Sequence, residues 1–265
     1  RGGDASYAGR IAEQAAGDIT AIEKWGGGVW TLSGTNAHTG GTTVKQGTLI
    51  VNTPGGSGTG SGGVSVESGA RIGGSGVIGG ELNIASGATL APGATNQPGT
   101  LTIDDAASIA SGANLHFRLG ATSDSVVVNG TLQLGGQLIV SNSGGFAGGI
   151  FPLFTYANDL EPGTLTLASA PTGFVYSIDT NTPGVVNLFA FTPFMQWQLA
   201  NFGSLTNPNA LAAADHDGDG FSNESEYRAG TQPTNSASLL ALVSGIQNGT
   251  NIVLNWKTAG IRTNY

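Results

Sequence analysis

Short runs of alternating residues recur along most of this chain. From residue 22 onward, strand-forming side chains stand at every second position, as at Val29 and Thr31, Thr42 and Val44, and Leu49 and Val51. A period of two places every second side chain on the same face of a β-strand. The pattern therefore predicts an all-β structure made of short strands.

A recurring unit punctuates these strands, in which Gly is followed two or three positions later by an apolar residue. It occurs at 47–49, 69–72, 87–90, 99–101, 112–115, 130–132, 136–138 and 163–165. Because such a unit cannot bury an apolar face alone, the repeats are predicted to stack into a β-solenoid. The Gly-rich stretch 54–63 lies between strands, so we expect a loop between turns rather than a flexible linker.

The pattern divides the chain into four segments. Residues 1–21 form an N-terminal arm whose spaced apolar residues fit a short helix or a cap, and residues 22–191 carry the solenoid repeats. Aromatic residues become frequent in 151–167 and 174–191, which indicates the wide end of the solenoid or its cap. Residues 192–235 are predicted to hold a helix and a loop, and residues 236–265 the start of a further β module.

Helical spacing is strongest at residues 194–202, directly after the Thr192-Pro193 break. A second, shorter helix is expected at 222–228, ended by Gly230. Two strands, 239–243 and 252–256, flank a turn at 247–250. Since the chain begins at Arg1 without Met and stops at Tyr265 soon after a predicted strand, both ends are expected to be processed or truncated, which leaves room for a removed signal peptide upstream.

Composition narrows the class of protein. The chain has 265 residues, 45 of them Gly, and a hydrophobic fraction of 39%, too high for a disordered chain. Its net charge of -8 and lack of a basic cluster argue against nucleic acid as a partner. The absence of Cys excludes disulfides and thiolate chemistry. No stretch approaches the roughly 20 apolar residues of a membrane helix, so no membrane span is expected.

The stretch 215–226 carries the most specific chemistry in the sequence. Calcium prefers oxygen ligands, and a twelve-residue loop supplies them from positions 1, 3, 5, 7, 9 and 12, with Gly at position 6 for a sharp turn. Gly220 occupies the sixth position. The predicted Ca²⁺ ligands are Asp215, Asp217, Asp219, Phe221 through its backbone carbonyl, Asn223 and Glu226. A single loop of this kind predicts a structural ion.

Two parts of the sequence resemble known families. Residues 24–52 resemble the autotransporter-associated β-strand repeat, through Lys24, Gly28, Trp30, 32–34, Asn36, 41–42, Val44, 47–49 and 51–52, with His38 where Tyr is usual. The resemblance implies an exported bacterial surface protein and a right-handed parallel β-helix. Residues 194–234 resemble the dockerin-like or thrombospondin-type-3-like calcium segment, in which Gln232 replaces the Asp that usually precedes Pro233. Because of this replacement, no second cation site is expected.

Catalysis finds little support in the residues available. A hydrolytic triad needs a His base beside a nucleophile. The three His residues, His38, His116 and His216, are instead expected at solvent-exposed or turn positions. Polysaccharide lyases also use β-helices, but Asp104 and Asp105 are adjacent and in a strand would point to opposite faces. The sequence therefore predicts no enzyme, and a polysaccharide-active enzyme remains the third alternative.

A structural role on a bacterial surface fits the sequence best. Open edges at the ends of a solenoid can pair with other chains, by head-to-tail contact or by strand addition, and would build a filament, stalk or coat. The runner-up is an adhesin that binds a surface polysaccharide, with Trp25 and Trp30 stacking on sugars. The repeat resemblance favours packing at a cap for both Trp residues.

Overall fold

The computed structural model describes residues 3–94, 96–248 and 250–257. The chain divides into two compact units, a larger one formed by residues up to 172 and 176–190 and a smaller one formed by 173–175 and from 191 onward. The sheets of the larger unit consist mainly of parallel strand pairs, and helices are few. The mostly-β prediction is confirmed, and the parallel sheets are compatible with a β-solenoid.

The strands preceding the first helix are short. In chain order they are β1 (Ala5–Tyr7), β2 (Ile22–Lys24), β3 (Val29–Leu32), β4 (Thr42–Val44), β5 (Thr48–Val51), β6 (Val64–Val66), β7 (Arg71–Gly74), β8 (Val77–Ile78), β9 (Leu82–Ile84), β10 (Thr89–Pro92), β11 (Thr100–Ile103), β12 (Ala107–Ile109), β13 (Asn114–Leu119), β14 (Ser125–Val128), β15 (Leu132–Gln133), β16 (Gly136–Asn142), β17 (Gly149–Tyr156), β18 (Leu160–Glu161), β19 (Leu165–Ser169), β20 (Val175–Asp179) and β21 (Val185–Phe191).

These strands form three sheets. Their orders are β1-β3-β5-β7-β10-β13-β16-β19 in the first, β18-β15-β12-β9-β6-β4-β2 in the second and β20-β21-β17-β14-β11-β8 in the third. From β7 to β19 the chain passes through the first, third and second sheets in rotation. Leu49 pairs with Ile72, and Leu90 with Leu115, so the chain returns to the first sheet after 23 and 25 residues.

One continuous hydrophobic core lies inside the larger unit. The apolar residues of the recurring Gly unit point into it. In the first sheet they form a row of paired, fully buried side chains: Leu49, Ile72, Leu90, Leu115 and Leu138. Burying a Leu or Ile side chain contributes about 2 kcal/mol. Stacking therefore supplies the burial that one repeat cannot achieve alone.

The turns between strands are packed closely. At Gly47, φ is +67°, and an added Cβ would lie 2.5 Å from the carbonyl oxygen of Gly26, so only Gly fits. The Gly-rich segment 54–63 belongs to this packing. Ser57 forms a parallel bridge with Val77, and the backbone N–H of Ser61 donates to the carbonyl of His38. The prediction of a loop between turns is confirmed for this segment.

Three parts of the larger unit depart from the simple repeat. Within residues 3–21 the chain forms the short strand β1, parallel to β3, and not a helix. At the other end, β21 pairs antiparallel with β17 and so interrupts the parallel order of the third sheet. Asp104 and Asp105 lie in the bend between β11 and β12, so the strand geometry expected for them is wrong.

The smaller unit contains both predicted helices. Helix α1 (Pro193–Phe202) begins after Thr192, whose Oγ1 accepts a hydrogen bond from the Met195 N–H, and ends at Gly203. A 3₁₀ turn (Pro208–Ala210) and helix α2 (Asn223–Ala229), which ends at Gly230, follow.

Strands β22 (Ala241–Asn248) and β23 (Asn251–Lys257) form an antiparallel hairpin, longer than the two strands expected at 239–243 and 252–256. Among the described residues, no helix has the length and apolar character needed to cross a membrane.

Candidate metal centre

The loop 215–226 lies in the smaller unit and leads into α2. Its first aspartate shapes the turn, since Asp215 Oδ1 accepts from the Gly218 N–H at 2.8 Å and Oδ2 from the Gly220 N–H at 2.9 Å. Both glycines have positive φ, +75° and +93°, which L side chains adopt only with strain. The sharp turn predicted at Gly220 is present, and Gly218 adds a second one.

Three carboxylates converge inside this turn. One oxygen from each of Asp215, Asp217 and Asp219 lies within 4.8 Å of the others. Asp217 Oδ1 accepts from the Asp219 N–H, and Asp219 Oδ1 from the Phe221 N–H. The other oxygens, Asp217 Oδ2 and Asp219 Oδ2, are buried and have no hydrogen-bond partner. Buried anionic oxygens without a partner are costly, and a cation between them would remove that cost.

Asn223 contributes a third unpartnered oxygen. Its side chain is fully buried at the start of α2, directly after the N-cap residue Ser222. The amide Nδ2 donates to the backbone carbonyls of Asn209 at 2.7 Å and Leu211 at 2.8 Å. Because both donors are used, the amide orientation is fixed, and Oδ1 is left buried with no partner.

Glu226 contributes a fourth such oxygen from α2. Only 1% of this residue is exposed. Its Oε1 accepts a 3.3 Å hydrogen bond from Thr231 Oγ1, whereas Oε2 is buried without a partner. Burial, followed by the negative charges of Asp217, Asp219 and Asp215, raises the pKa of Glu226 to about 7. A bound cation would reverse this repulsion and favour the carboxylate.

Phe221 occupies the remaining predicted position. Its side chain is 46% exposed and its N–H donates to Asp219, while the role of its carbonyl as a ligand stays a prediction. The donor set is composed entirely of oxygen atoms, four of them carboxylates and one an amide. That chemistry suits a hard divalent cation and not a soft metal.

The backbone carbonyls that support the site carry no residue-type signal in the sequence. The carbonyls of Asn209 and Leu211 orient Asn223, and Thr231 orients Glu226. Backbone acceptors belong to every residue type, so spacing alone does not reveal them. The sequence indicates the region of Asn209 and Leu211 only through position, because residues 207–214 lead directly into the loop.

An aromatic cluster joins the loop to both helices of the smaller unit. His216, at the second loop position, packs edge-on against Phe202 at a ring-centroid distance of 5.6 Å. Phe202 in turn contacts Trp197, and Trp197 contacts Tyr227 at 5.7 Å. The loop is therefore anchored to α1 through side-chain packing as well as to α2 through the chain itself.

The other two His residues lie in the larger unit and in different surroundings. His38 is fully buried, with Nε2 3.4 Å from Thr42 Oγ1. His116 is half-buried in β13 and pairs with Ile139 of β16. Burial is the first cause that lowers the pKa of each imidazole.

Comparison with known families supports part of the sequence analysis. The model of the passenger-associated-transport-repeat family matches residues 22–51, the segment that contains β2 to β5. This match supports the resemblance to the autotransporter-associated repeat. It suggests an autotransporter passenger domain and is consistent with an extracellular bacterial surface protein. No curated protein matches the chain.

Proposed function

We propose that this chain is a non-enzymatic structural protein of a bacterial surface, built on a β-solenoid and stabilised by one Ca²⁺ ion in the loop 215–226. The observation that carries the proposal is the in-register stacking of short parallel strands around one continuous core. Such stacking builds a rigid body whose length grows with each turn, as a stalk, coat or filament subunit requires.

The solenoid interpretation follows from the path of the chain. Strands in each sheet pair with strands about one turn away, and parallel crossover connections are right-handed in nearly all proteins. A right-handed parallel β-helix is therefore the proposed form of the larger unit. The family match at residues 22–51 supports export to the cell surface or beyond.

Calcium is the proposed occupant of the loop. Four buried acceptor oxygens lack partners, and they belong to Asp217, Asp219, Asn223 and Glu226. Asp215 adds a carboxylate within 4.8 Å of the other two aspartates. An ion bound there stabilises the smaller unit by mass action whenever free Ca²⁺ exceeds the dissociation constant. The dockerin-like or thrombospondin-type-3-like resemblance of 194–234 agrees with this role.

Assembly into an extended structure is part of the proposal. Strand β1 is the first strand of its sheet, and all three of its residues are exposed. An edge of this kind offers unpaired backbone groups to another copy of the chain. A head-to-tail contact that does not close produces a fibre.

Electron microscopy of the purified chain tests the proposal. Filaments or ordered sheets are expected in millimolar Ca²⁺, and their order should decrease with excess chelator. Monodisperse single particles at high protein concentration in Ca²⁺ would rule out self-assembly. An adhesin that binds polysaccharide is the second candidate, and the exposure of Trp25 favours it.

A further inference from the structure

The two Trp residues near the start of the repeats have opposite environments. Trp30 packs against the hydrophobic core of the larger unit. Trp25, five residues earlier, is 56% exposed. The sequence favoured packing at a cap for both residues, and the exposure of Trp25 disagrees with that expectation. An exposed Trp leaves a large apolar surface in water, so a ligand that covers it would gain binding energy.

The exposed ring is held in place on two sides. Trp25 Nε1 donates to Glu23 Oε2 at 3.0 Å, and Lys45 Nζ lies 5.5 Å from the ring centroid. Lys45 is itself fixed by carboxylates, at 2.9 Å from Glu67 and 3.7 Å from Glu23. A ring fixed in this way loses little conformational freedom when a ligand stacks on it.

The strand beneath the ring is anchored as well. Lys24 is buried between Glu23 and Trp25, and its ammonium donates to the carbonyls of Gly26 at 2.6 Å and Gln46 at 2.9 Å. Since side chains alternate along β2, burial of Lys24 places Glu23 on the outer face. Trp25 follows directly after the strand and is exposed. The aromatic ring therefore lies next to an anchored end of β2.

A row of polar side chains continues from Trp25 across the second sheet. We call it the outer row: each member pairs with the next on the neighbouring strand, and each lies between buried core residues or beside one. Its members are Glu23, Thr43, Ser65, Asn83, Ser108 and Gln133, and Gln133 pairs in turn with the exposed Glu161. Neighbouring strands lie about 4.8 Å apart, so the row extends over roughly 24 Å. Hydroxyl and amide groups thus recur at a spacing close to that of the sugars in a linear polysaccharide.

The charges beside the ring favour an uncharged ligand. Lys45 faces two carboxylates, Glu23 and Glu67, so this part of the surface carries a net negative charge. A uronate or sulfate would be repelled there. A protein partner would need a larger apolar area than one ring flanked by Glu23 and Lys45 and followed by a polar row.

We propose that Trp25 and the outer row form a binding strip for an uncharged, linear polysaccharide. The ring stacks on the apolar C–H face of one pyranose, and the side chains of the outer row exchange hydrogen bonds with hydroxyl groups of the following sugars. The strip lies wholly in the larger unit and requires no metal. It deepens the adhesin alternative and rests on the proposed extracellular location, but it does not depend on calcium.

An array of immobilised glycans, probed with the whole chain in Ca²⁺, tests the strip. Binding to at least one uncharged linear glycan is expected, with uronate-containing glycans bound more weakly. Trp25→Ala should weaken binding about tenfold or more, and Trp25→Phe should retain most of it because the stacking surface remains. Ser65→Lys, placed in the middle of the outer row, should also weaken binding. Ile150→Ala is the matched control, since Ile150 is 57% exposed on the third sheet.

Several results would overturn the proposal. They are the absence of binding to any uncharged glycan, or wild-type affinity in both Trp25→Ala and Ser65→Lys. A change in oligomeric state on Trp25→Ala, measured by light scattering without glycan binding, would assign the ring to contact with a second copy instead. Binding should persist in excess chelator. Its loss there would contradict a site confined to the larger unit, whereas a failure of the calcium proposal alone would leave glycan binding unchanged.

Discussion

Asn223 donates from Nδ2 to the backbone carbonyl of Asn209 at 2.7 Å, which turns its Oδ1 away from the 3₁₀ turn and leaves that oxygen buried without a partner. Both N–H groups of Nδ2 are satisfied by backbone carbonyls, and only the acceptor Oδ1 is left. This arrangement is expected of an amide that serves as a metal ligand. The preceding turn thereby fixes the orientation of a candidate ligand fourteen residues away.

Replacing Asn223 should show how much its Nδ2 hydrogen bonds contribute to the stability of the smaller unit. Asn223→Ala removes two hydrogen bonds and leaves the carbonyls of Asn209 and Leu211 unsatisfied, at a cost of about 2 to 4 kcal/mol in the free energy of unfolding. Asn223→Asp should also destabilise, because a carboxylate would face those carbonyls. Urea denaturation of the smaller unit measures both. Asn209→Ala is the control, since Asn209 takes part through its backbone, and an equal loss there would contradict the assignment.

Glu226→Gln should have opposite effects with and without Ca²⁺. Without the ion, removing one buried negative charge relieves repulsion from the three aspartates, so the thermal midpoint should rise. With Ca²⁺, the weaker ligand should bind less tightly and lose stabilisation, which amounts to about 2.7 kcal/mol for an ion at a hundred times its Kd. Glu224→Gln on the exposed side of α2 should change neither midpoint appreciably. A fall in the midpoint of Glu226→Gln in chelator would disagree with this account.

Lys24 and Lys45 should differ in their contribution to stability. Lys24 is buried and its ammonium donates to backbone carbonyls of two turns, so Lys24→Met should cost about 2 kcal/mol or more. Lys45 forms surface ion pairs, and Lys45→Met should cost less than about 1 kcal/mol. Denaturant unfolding of the larger unit compares them. Equal costs would mean that the carbonyl contacts of Lys24 contribute little.

Acid should destabilise the larger unit through His38. Burial lowers the pKa of this imidazole, although the charge of Glu13 and a backbone hydrogen bond with Ile11 act in the opposite direction. Below the ordinary value of 6.5 the unfolded chain binds a proton that the folded chain does not, so stability falls as the pH drops from 6.5 toward the lowered folded pKa.

His38→Gln should reduce the pH dependence of stability in part. The remainder is assigned to His116, because burial also lowers the pKa of that imidazole. Thermal unfolding between pH 7 and 5 provides the measurement. His216→Gln, in the exposed loop of the smaller unit, should leave the pH dependence of the larger unit unchanged. A pH-independent wild type would contradict the role of His38.

Regular features of the molecule follow from local patterns in the sequence. Alternation identifies buried positions such as Leu49 and Ile72, and capping residues such as Thr192 and Gly230 mark the helix ends. Features that depend on contacts between distant residues do not follow. The antiparallel pairing of β21 with β17 joins strands about thirty residues apart, and no local pattern in the sequence indicates it.

The two Trp residues are a second case in which the sequence pattern does not predict the environment of a side chain. Their residue type and surroundings in the sequence are similar, yet Trp30 faces the core and Trp25 faces solvent. Lys24, beside Trp25, is buried and donates to the carbonyls of Gly26 and Gln46, and the contact with Gln46 depends on a residue 22 positions away. At the loop 215–226, ligand types follow from spacing, while the orientation of Asn223 depends on backbone groups.

Isothermal titration of the chain with Ca²⁺ tests the proposed ion most directly. One ion per chain should bind the wild type, and the double variant Asp217→Asn, Asp219→Asn should lose that binding, because the two buried carboxylate oxygens without partners are converted to neutral amides. The matched variant Asp104→Asn, Asp105→Asn, in a bend of the larger unit, should bind as the wild type does. Absence of binding to the wild type, or unchanged binding by the Asp217 and Asp219 variant, would contradict a calcium ion in the loop 215–226.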